Sequence, residues 1–435
     1  MRYLFSTSFI MKLAFFFASG VVITFSCANR NKIAETDNQR TISNTIAKAN
    51  NDSIIFTSLP IQTGASQTEI YISSLKNKKL ALVVNQTSAI NQKHIVDSFL
   101  NLGLQIVKIF APEHGFRGDH GAGAKVASTI DPKTKLPIIS LYGNHKKPTK
   151  ADLAGIDQVV FDIQDVGTRF YTYLSTLHYI MESCAEFKIP VMVLDRPNPN
   201  GFYIDGPILE SANSSFVGMH PIPVVHGMTL GELAQMINGE GWLNNKIKVE
   251  LQVIKLNHYH HNRKYILPIK PSPNLPTQAS IYLYPSLCFF EGTNISVGRG
   301  TDKPFECFGR PGLKEVNYTF IPKAIPGIAD NPPFVNQMCN GVLLTSFGEN
   351  YLPSLQKIYL EWLILTYKQA KTENQKYFND FFIKLAGTDK LRQQIEEGKT
   401  QKEIQDSWKT GLDKFKKQRE PYMLYGFKEN AGLFD

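Results

Sequence analysis

Gln158 to Leu194, QVVFDIQDVGTRFYTYLSTLHYIMESCAEFKIPVMVL, contains the unit that decides the fold. Gln158 to Ile163 is a short apolar run without polar alternation, as expected of a strand covered on both faces, and Pro190 to Leu194 is another. Between them, Tyr171 to Phe187 spaces apolar residues three and four apart, which predicts a helix. A strand, a helix and a second strand in that order predict parallel neighbours joined by a right-handed crossover. Lys79 to Val84, Leu104 to Phe110, Leu136 to Leu141 and Val249 to Leu256 repeat the strand pattern. The expectation is an α/β protein with a Rossmann-like parallel sheet domain over 66–265. The Pro-rich connection Pro271 to Thr277 (PSPNLPT) leads into a smaller α+β domain, 266–435. Within it Ile281 to Phe290 (IYLYPSLCFF) reads as another apolar run closing in a strand-end loop, and Ser354 to Lys371 and Gln401 to Lys417 read as helices.

The 435 residues include 47 Lys and Arg against 38 Asp and Glu, a balance of +9 spread along the chain, which indicates mild attraction to anionic surfaces and no nucleic-acid footprint. At the N-terminus Lys12 precedes the uncharged run Leu13 to Phe25, too short to span a membrane, and then Ser26-Cys27. This resembles a bacterial lipoprotein signal, and the expectation is a signal peptide over 1–27, lipidation at Cys27, export, and periplasmic attachment to a membrane. Residues 28–65 open with a polar stretch that lacks aromatic residues as far as Ile54 and read as a disordered tether. Of the remaining cysteines, Cys184 falls in an apolar helical pattern as a core residue, and a Cys307–Cys339 bridge is left open.

In open parallel sheets ligands bind beyond the carboxyl ends of the strands, so the strand-end loops are where chemistry is expected. Those loops are APEHGFRGDHGAG from Ala111, QDVGTRFYTY from Gln164, and DRPNPNG from Asp195. No GxGxxG nucleotide fingerprint follows the first strand, no GxxxxGK[ST] occurs, and GxSxG is absent, so no cofactor is expected. His114 and His120 match no metal-ligand spacing. What the loops do supply is carboxylates: Glu113, Asp119, Asp162, Asp165, Glu291 and Asp302. Glycoside hydrolysis needs two of them about one glycosidic bond, one to protonate the leaving oxygen and one to act as nucleophile or base.

APEHGFRGDHGAG, VFDIQDVGTRFYTY, LDRPNPNG, PSPNLPT, EGTNISVGRGTDKPF and the terminal IQDSWKTGLDKFKKQREPYMLY resemble, in the same order, the successive motifs of the exo-β-N-acetylmuramidase (NamZ-like) family, from about Leu75 to the end. The resemblance implies a Rossmann-like domain joined to a smaller α/β domain, with the active site in the interdomain cleft. It also implies cofactor-free removal of terminal N-acetylmuramic acid from the non-reducing ends of peptidoglycan fragments such as MurNAc-GlcNAc, with the Glu of APEHG, here Glu113, as the catalytic glutamate.

Each candidate has a structural counterpart. Glu113 is expected as general acid, with a helix cap or a pair with Arg117 as the structural alternative. Asp165 divides between a catalytic carboxylate and an N-cap, and Glu291 is expected in the site as the contribution of the second domain. His114, Arg117, Asp162, Arg169, Tyr171, Tyr173, Asn294 and Arg299 are expected to bind substrate. Asp162 alternatively orients Arg169, and Arg169 or Arg299 suits the lactyl carboxylate of muramic acid, because a guanidinium meets a carboxylate as a fork. Tyr171 and Tyr173, two apart, point in different directions, so one of them faces substrate. Glu232 in TLGE fits a capping box, and His258, His260 and His261 read as a solvated connection. Two other classes fit the same loops: a non-catalytic muropeptide-binding lipoprotein, and a metal-dependent amidase or esterase using His114 and His120.

Overall fold

The computed structural model describes residues 59–113, 115–116 and 129–427; Cys27, the tether up to 58, His114, Arg117, Asp119 and His120 lie outside them. Helix α1 (Thr68–Leu75) leads into β1 (Lys79–Val84), after which β2 (Ala89–Ile90) and β3 (Lys93–His94) form a small hairpin. Then follow α2 (Ile95–Asn101), β4 (Gln105–Ala111), β5 (Thr129–Ile130), β6 (Pro137–Ser140), β7 (Gln158–Asp162), α3 (Tyr173–Glu186), β8 (Val191–Leu194), α4 (Leu230–Gly239) and β9 (Leu251–Ile254). The sheet order is β5-β6-β4-β1-β7-β8-β9, parallel throughout except for the edge pair β5 and β6. Because β1 has β4 on one side and β7 on the other, the chain reverses direction across the sheet at β1, and the crevice for a ligand opens at that point.

The apolar runs are strands because both faces are covered. Along β1, Ala81 and Val83 join one core with Phe161 and Leu177, whereas Leu80, Leu82 and Val84 join the other with Tyr71, Phe99 and Met192. The first of these cores runs on without a break into the second half of the chain, through Phe289, Phe305, Phe308 and Trp408. That half consists of α5 (Gln278–Leu287), a three-stranded antiparallel sheet of β10 (Cys307–Arg310), β11 (Tyr318–Phe320) and β12 (Cys339–Leu343), and helices α6 (Thr345–Asn350), α7 (Leu352–Leu355), α8 (Glu361–Thr372), α9 (Phe381–Ala386), α10 (Lys390–Glu396) and α11 (Gln401–Arg419).

Three local expectations change. Ile281 to Phe290 is helical: Thr277 and Ser280 form a reciprocal capping box, and α5 passes into a 3-10 turn over Cys288–Gly292. Its residues Ala279 to Leu287 are all buried, so no amphipathic period exists to separate it from a strand. The helix expected from Ser354 begins only at Glu361, since Gln356 turns left-handed (φ 50°) and ends α7. His261 is not solvated; it is buried, with Nε2 3.1 Å from Glu232 Oε1. Glu232 completes its capping box with Thr229, and its Oε1 also accepts from the backbone N–H groups of Leu424 (2.8 Å) and Tyr425 (3.3 Å). Cys184, Cys288, Cys307 and Cys339 are all buried free thiols, with Cys307 and Cys339 packed against Phe320.

Candidate active site

A cavity of about 370 Å3 lies where the carboxyl ends of β4 and β7 meet the second half of the chain. Glu113 enters from the loop after β4, while Phe170, Tyr171 and Thr172 enter from the segment that runs from β7 into α3. The opposite wall brings Asn274 and Leu275 of the Pro-rich connection, Tyr284 and Cys288 of α5 and its 3-10 extension, then Glu291 and Arg299. The loop between β11 and β12 adds Ile328 to Pro333, including Asp330, and α9 adds Phe381 and Leu385. Three carboxylates and one cation, Arg299, therefore line the cavity among the described residues.

Glu113 is buried, and its Oε2 accepts a 2.6 Å hydrogen bond from Thr172 Oγ1 at the head of α3. The hydroxyl at the N-cap position thus turns outward to the carboxylate, making no capping bond of its own. Glu291 Oε1 accepts from Arg299 Nε at 2.6 Å, and the Arg299 guanidinium also sits 5.0 Å from the ring centre of Phe305. Only Nε of Arg299 is engaged by a hydrogen bond within the described residues, so the two terminal amino groups form a fork held in place from behind. Asp330, in the loop between β11 and β12, accepts from Gly327 N through Oδ1 at 2.9 Å.

The remaining expected residues lie elsewhere. Asp165 is buried beneath the cavity wall and does not line it: Oδ2 accepts from Gly167 N at 2.7 Å, Oδ1 has no partner among the described residues, and burial pushes its carboxyl up to about 7. Asp162 is part of a buried ion pair with Arg196, not Arg169, through Nε (2.5 Å) and a terminal nitrogen (2.9 Å). Arg169 does not line the cavity. Its guanidinium is buried and donates to four carbonyls, of Pro207, Ile222, Leu385 and Ala386, at 2.8 to 2.9 Å. Tyr171 reaches the cavity, whereas Tyr173 turns away and donates to Pro271 O at 3.1 Å. Asn294 is likewise outside, donating to Gln375 Oε1 (3.4 Å) and Lys376 O (3.1 Å).

The LDRPNPNG loop, although at a strand end, is internal scaffolding. Asn198 donates to Met228 O, and Asn200 donates to Val166 O and Ile281 O, so this motif joins α5 to the sheet. Sequence reasoning missed Thr172, Asp330 and Phe381. For Thr172 a signal existed, since it lies in the first turn of the helix expected from Tyr171, directly after the strand-end loop; Asp330 and Phe381 carried none.

Comparison with known proteins agrees with this architecture. Residues 80–279 match the family described as exo-beta-N-acetylmuramidase NamZ, N-terminal, and residues 282–425 match its C-terminal counterpart. The chain is 41% identical over 379 residues to the peptidoglycan beta-N-acetylmuramidase NamZ of Bacillus subtilis (strain 168), covering 82% of this chain and 89% of that protein. Two crystal structures of DUF1343 family proteins from Bacteroides fragilis NCTC 9343 superpose well. One has a TM-score of 0.78 at 45% identity, covering 85% of this chain and all of the other. The second has a TM-score of 0.71 at 27% identity, covering 84% and 99%. With both family regions matched in order and the fold shared, the chain belongs to the NamZ exo-β-N-acetylmuramidase family.

Proposed function

We propose that the protein is an exo-acting β-N-acetylmuramidase, a glycoside hydrolase that removes the terminal non-reducing N-acetylmuramic acid from peptidoglycan fragments. One observation carries the reading: a single cavity, near the small end of the range for ligand sites, puts the Glu113 carboxyl and the Arg299 fork on opposing walls. That volume has room for a terminal sugar.

In this reading Glu113, oriented by Thr172, protonates the glycosidic oxygen as the bond to the anomeric carbon breaks. Glu291, held by Arg299, supplies the second carboxylate on the opposite wall. The terminal amino groups of Arg299 bind the lactyl carboxylate, the one group that distinguishes muramic acid from N-acetylglucosamine, and Tyr171 packs on the sugar. Export and lipidation at Cys27 are part of the same proposal. They rest on the N-terminal sequence, and Cys27→Ala is expected to move the protein from the membrane to the soluble fraction.

The test is release of N-acetylmuramic acid from a chromogenic β-muramide by the chain beginning after Cys27, with the matching glucosaminide as control and Glu113→Gln as control protein. Release from the muramide alone, lost in the variant with binding retained, is expected. Binding without release by the unaltered protein points to a muropeptide-binding protein. Release that survives Glu113→Gln assigns the acid to another carboxylate.

A further inference from the structure

At one point in the cavity wall the backbone adopts a conformation that its residue type disfavours. Phe305 is fully buried, lines the cavity and has φ 56°. In that left-handed region a bulky side chain is an outlier, kept only where the surroundings hold it. Here the chain is fastened on both sides of the turn. Phe305 N donates to Val297 O at 2.7 Å, and Leu344 N donates to Glu306 O at 2.7 Å. The buried Glu306 carboxylate accepts from Thr277 Oγ1 at the head of α5 (2.7 Å) and from Thr345 Oγ1 at the head of α6 (2.6 Å).

What the turn achieves is the position of one ring. The Phe305 centroid lies 5.0 Å from the Arg299 guanidinium, and the Tyr284 ring meets it edge-on at 5.0 Å and 69°. Arg299 is therefore fixed twice, by the ring and by Glu291 Oε1, which accepts from Nε at 2.6 Å. The Arg299 backbone is constrained as well. Its neighbours Gly298 and Gly300 have φ 76° and 81°, and a Cβ at Gly298 would stand 2.6 Å from Cys307 Sγ, so this loop is packed closely on β10. A guanidinium that swings freely meets a carboxylate from many directions and loses rotamer freedom on binding. One that is stacked on a ring and held at Nε loses less and presents its fork in one direction.

We propose that Phe305 is the positioning residue for Arg299: its left-handed turn keeps a ring against the guanidinium, and the fork so aimed selects sugars that carry a carboxylate over neutral ones. This rests on the reading of Arg299 as the group that binds the lactyl carboxylate. In the test, Phe305→Leu and Phe305→Met each remove the ring but keep an apolar side chain, whereas Phe305→Tyr keeps the ring. Calorimetry measures binding of N-acetylmuramic acid and of its methyl ester, which has nearly the same shape without the charge, to the unaltered protein and to each variant that retains a cooperative thermal transition. Loss of the ring is expected to raise the Kd of the acid roughly tenfold and to leave that of the ester within about twofold, with Phe305→Tyr close to the unaltered protein. An equal rise for acid and ester, or no rise for either, makes Phe305 a core residue only and overturns the proposal. If the unaltered protein binds the acid no better than the ester, the assignment of Arg299 falls and the proposal with it. If the preference for the acid depends on Phe305 but the protein cleaves no muramide, the positioning role stands and the glycosidase reading falls.

Discussion

Arg169 was expected to bind substrate, and its position predicts a different phenotype. Its four carbonyl partners belong to two separate parts of the chain: Pro207 and Ile222 precede α4, while Leu385 and Ala386 end α9, the helix that places Phe381 and Leu385 on the cavity. Arg169→Met keeps the apolar stem and removes all four donors, leaving four carbonyls without them in a buried setting. At about 1 to 3 kcal/mol for each orphaned group the loss is on the order of 4 kcal/mol or more, reduced in part because a buried charge is removed with them. Unfolding entropy of about 2.1 cal/mol/K per residue over roughly 370 residues makes about 0.8 kcal/mol/K, so Tm should fall by about 5 °C or more. Differential scanning calorimetry reads the shift, and KM on the chromogenic muramide reads the site. Arg169→Met should lower Tm with KM moving only as α9 loosens. An unchanged Tm with KM raised tenfold would refute the clamp and return Arg169 to the substrate.

Arg299→Met should raise KM for the muramide roughly ten- to a hundredfold, the worth of a charge-assisted fork, with the preference over glucosaminide lost; an unchanged preference places the lactyl group elsewhere. Thr172→Val removes the hydroxyl that orients Glu113 and should lower kcat roughly tenfold at similar KM, with Thr172→Ser restoring it; a KM effect alone would make Thr172 a substrate contact. Asp165→Asn tests the buried carboxyl. Burial raises the folded value from 3.8 to about 7, so the folded state holds a proton that the unfolded chain has released, and stability falls as pH rises through that window. The Asn variant should match the unaltered protein near pH 4 and exceed it by up to about 4 kcal/mol near pH 8; a Tm difference that does not change between those pH values would show Asp165 ionised without penalty.

The parts of this fold that could be read in the sequence are those whose cause is local. A strand between two covered faces is apolar on both, and Leu80 to Val84 and Val159 to Phe161 satisfy that, so β1 and β7 stand close to where they were expected. The helix between β7 and β8 shows its period for the same reason. Glu113, Tyr171, Glu291 and Arg299 were reachable because a carboxylate, an aromatic or a guanidinium just after an apolar run falls at the mouth of a parallel sheet or on the wall facing it. The same local logic failed for α5, whose complete burial erases the helical period.

Partner choice was decided only in three dimensions. Asp162 pairs with Arg196 because β7 and β8 are parallel neighbours, which brings their carboxyl ends together, while Arg169, only seven residues along, is drawn to carbonyls 38 to 217 residues away. Asn294 and Asp330 are placed for the same reason: the first is tied to the loop before α9, and the second, for which the sequence carried no signal, lines the cavity from the loop between β11 and β12. Sequence by itself determined the layers, the crevice and the types of group available there, because hydrophobic period and strand-end position act within a few residues. Tertiary structure alone decided which charged groups face the cavity and which are consumed within the protein. A buried guanidinium or carboxylate must find its hydrogen bonds wherever packing supplies them, and that supply comes from segments distant in the chain.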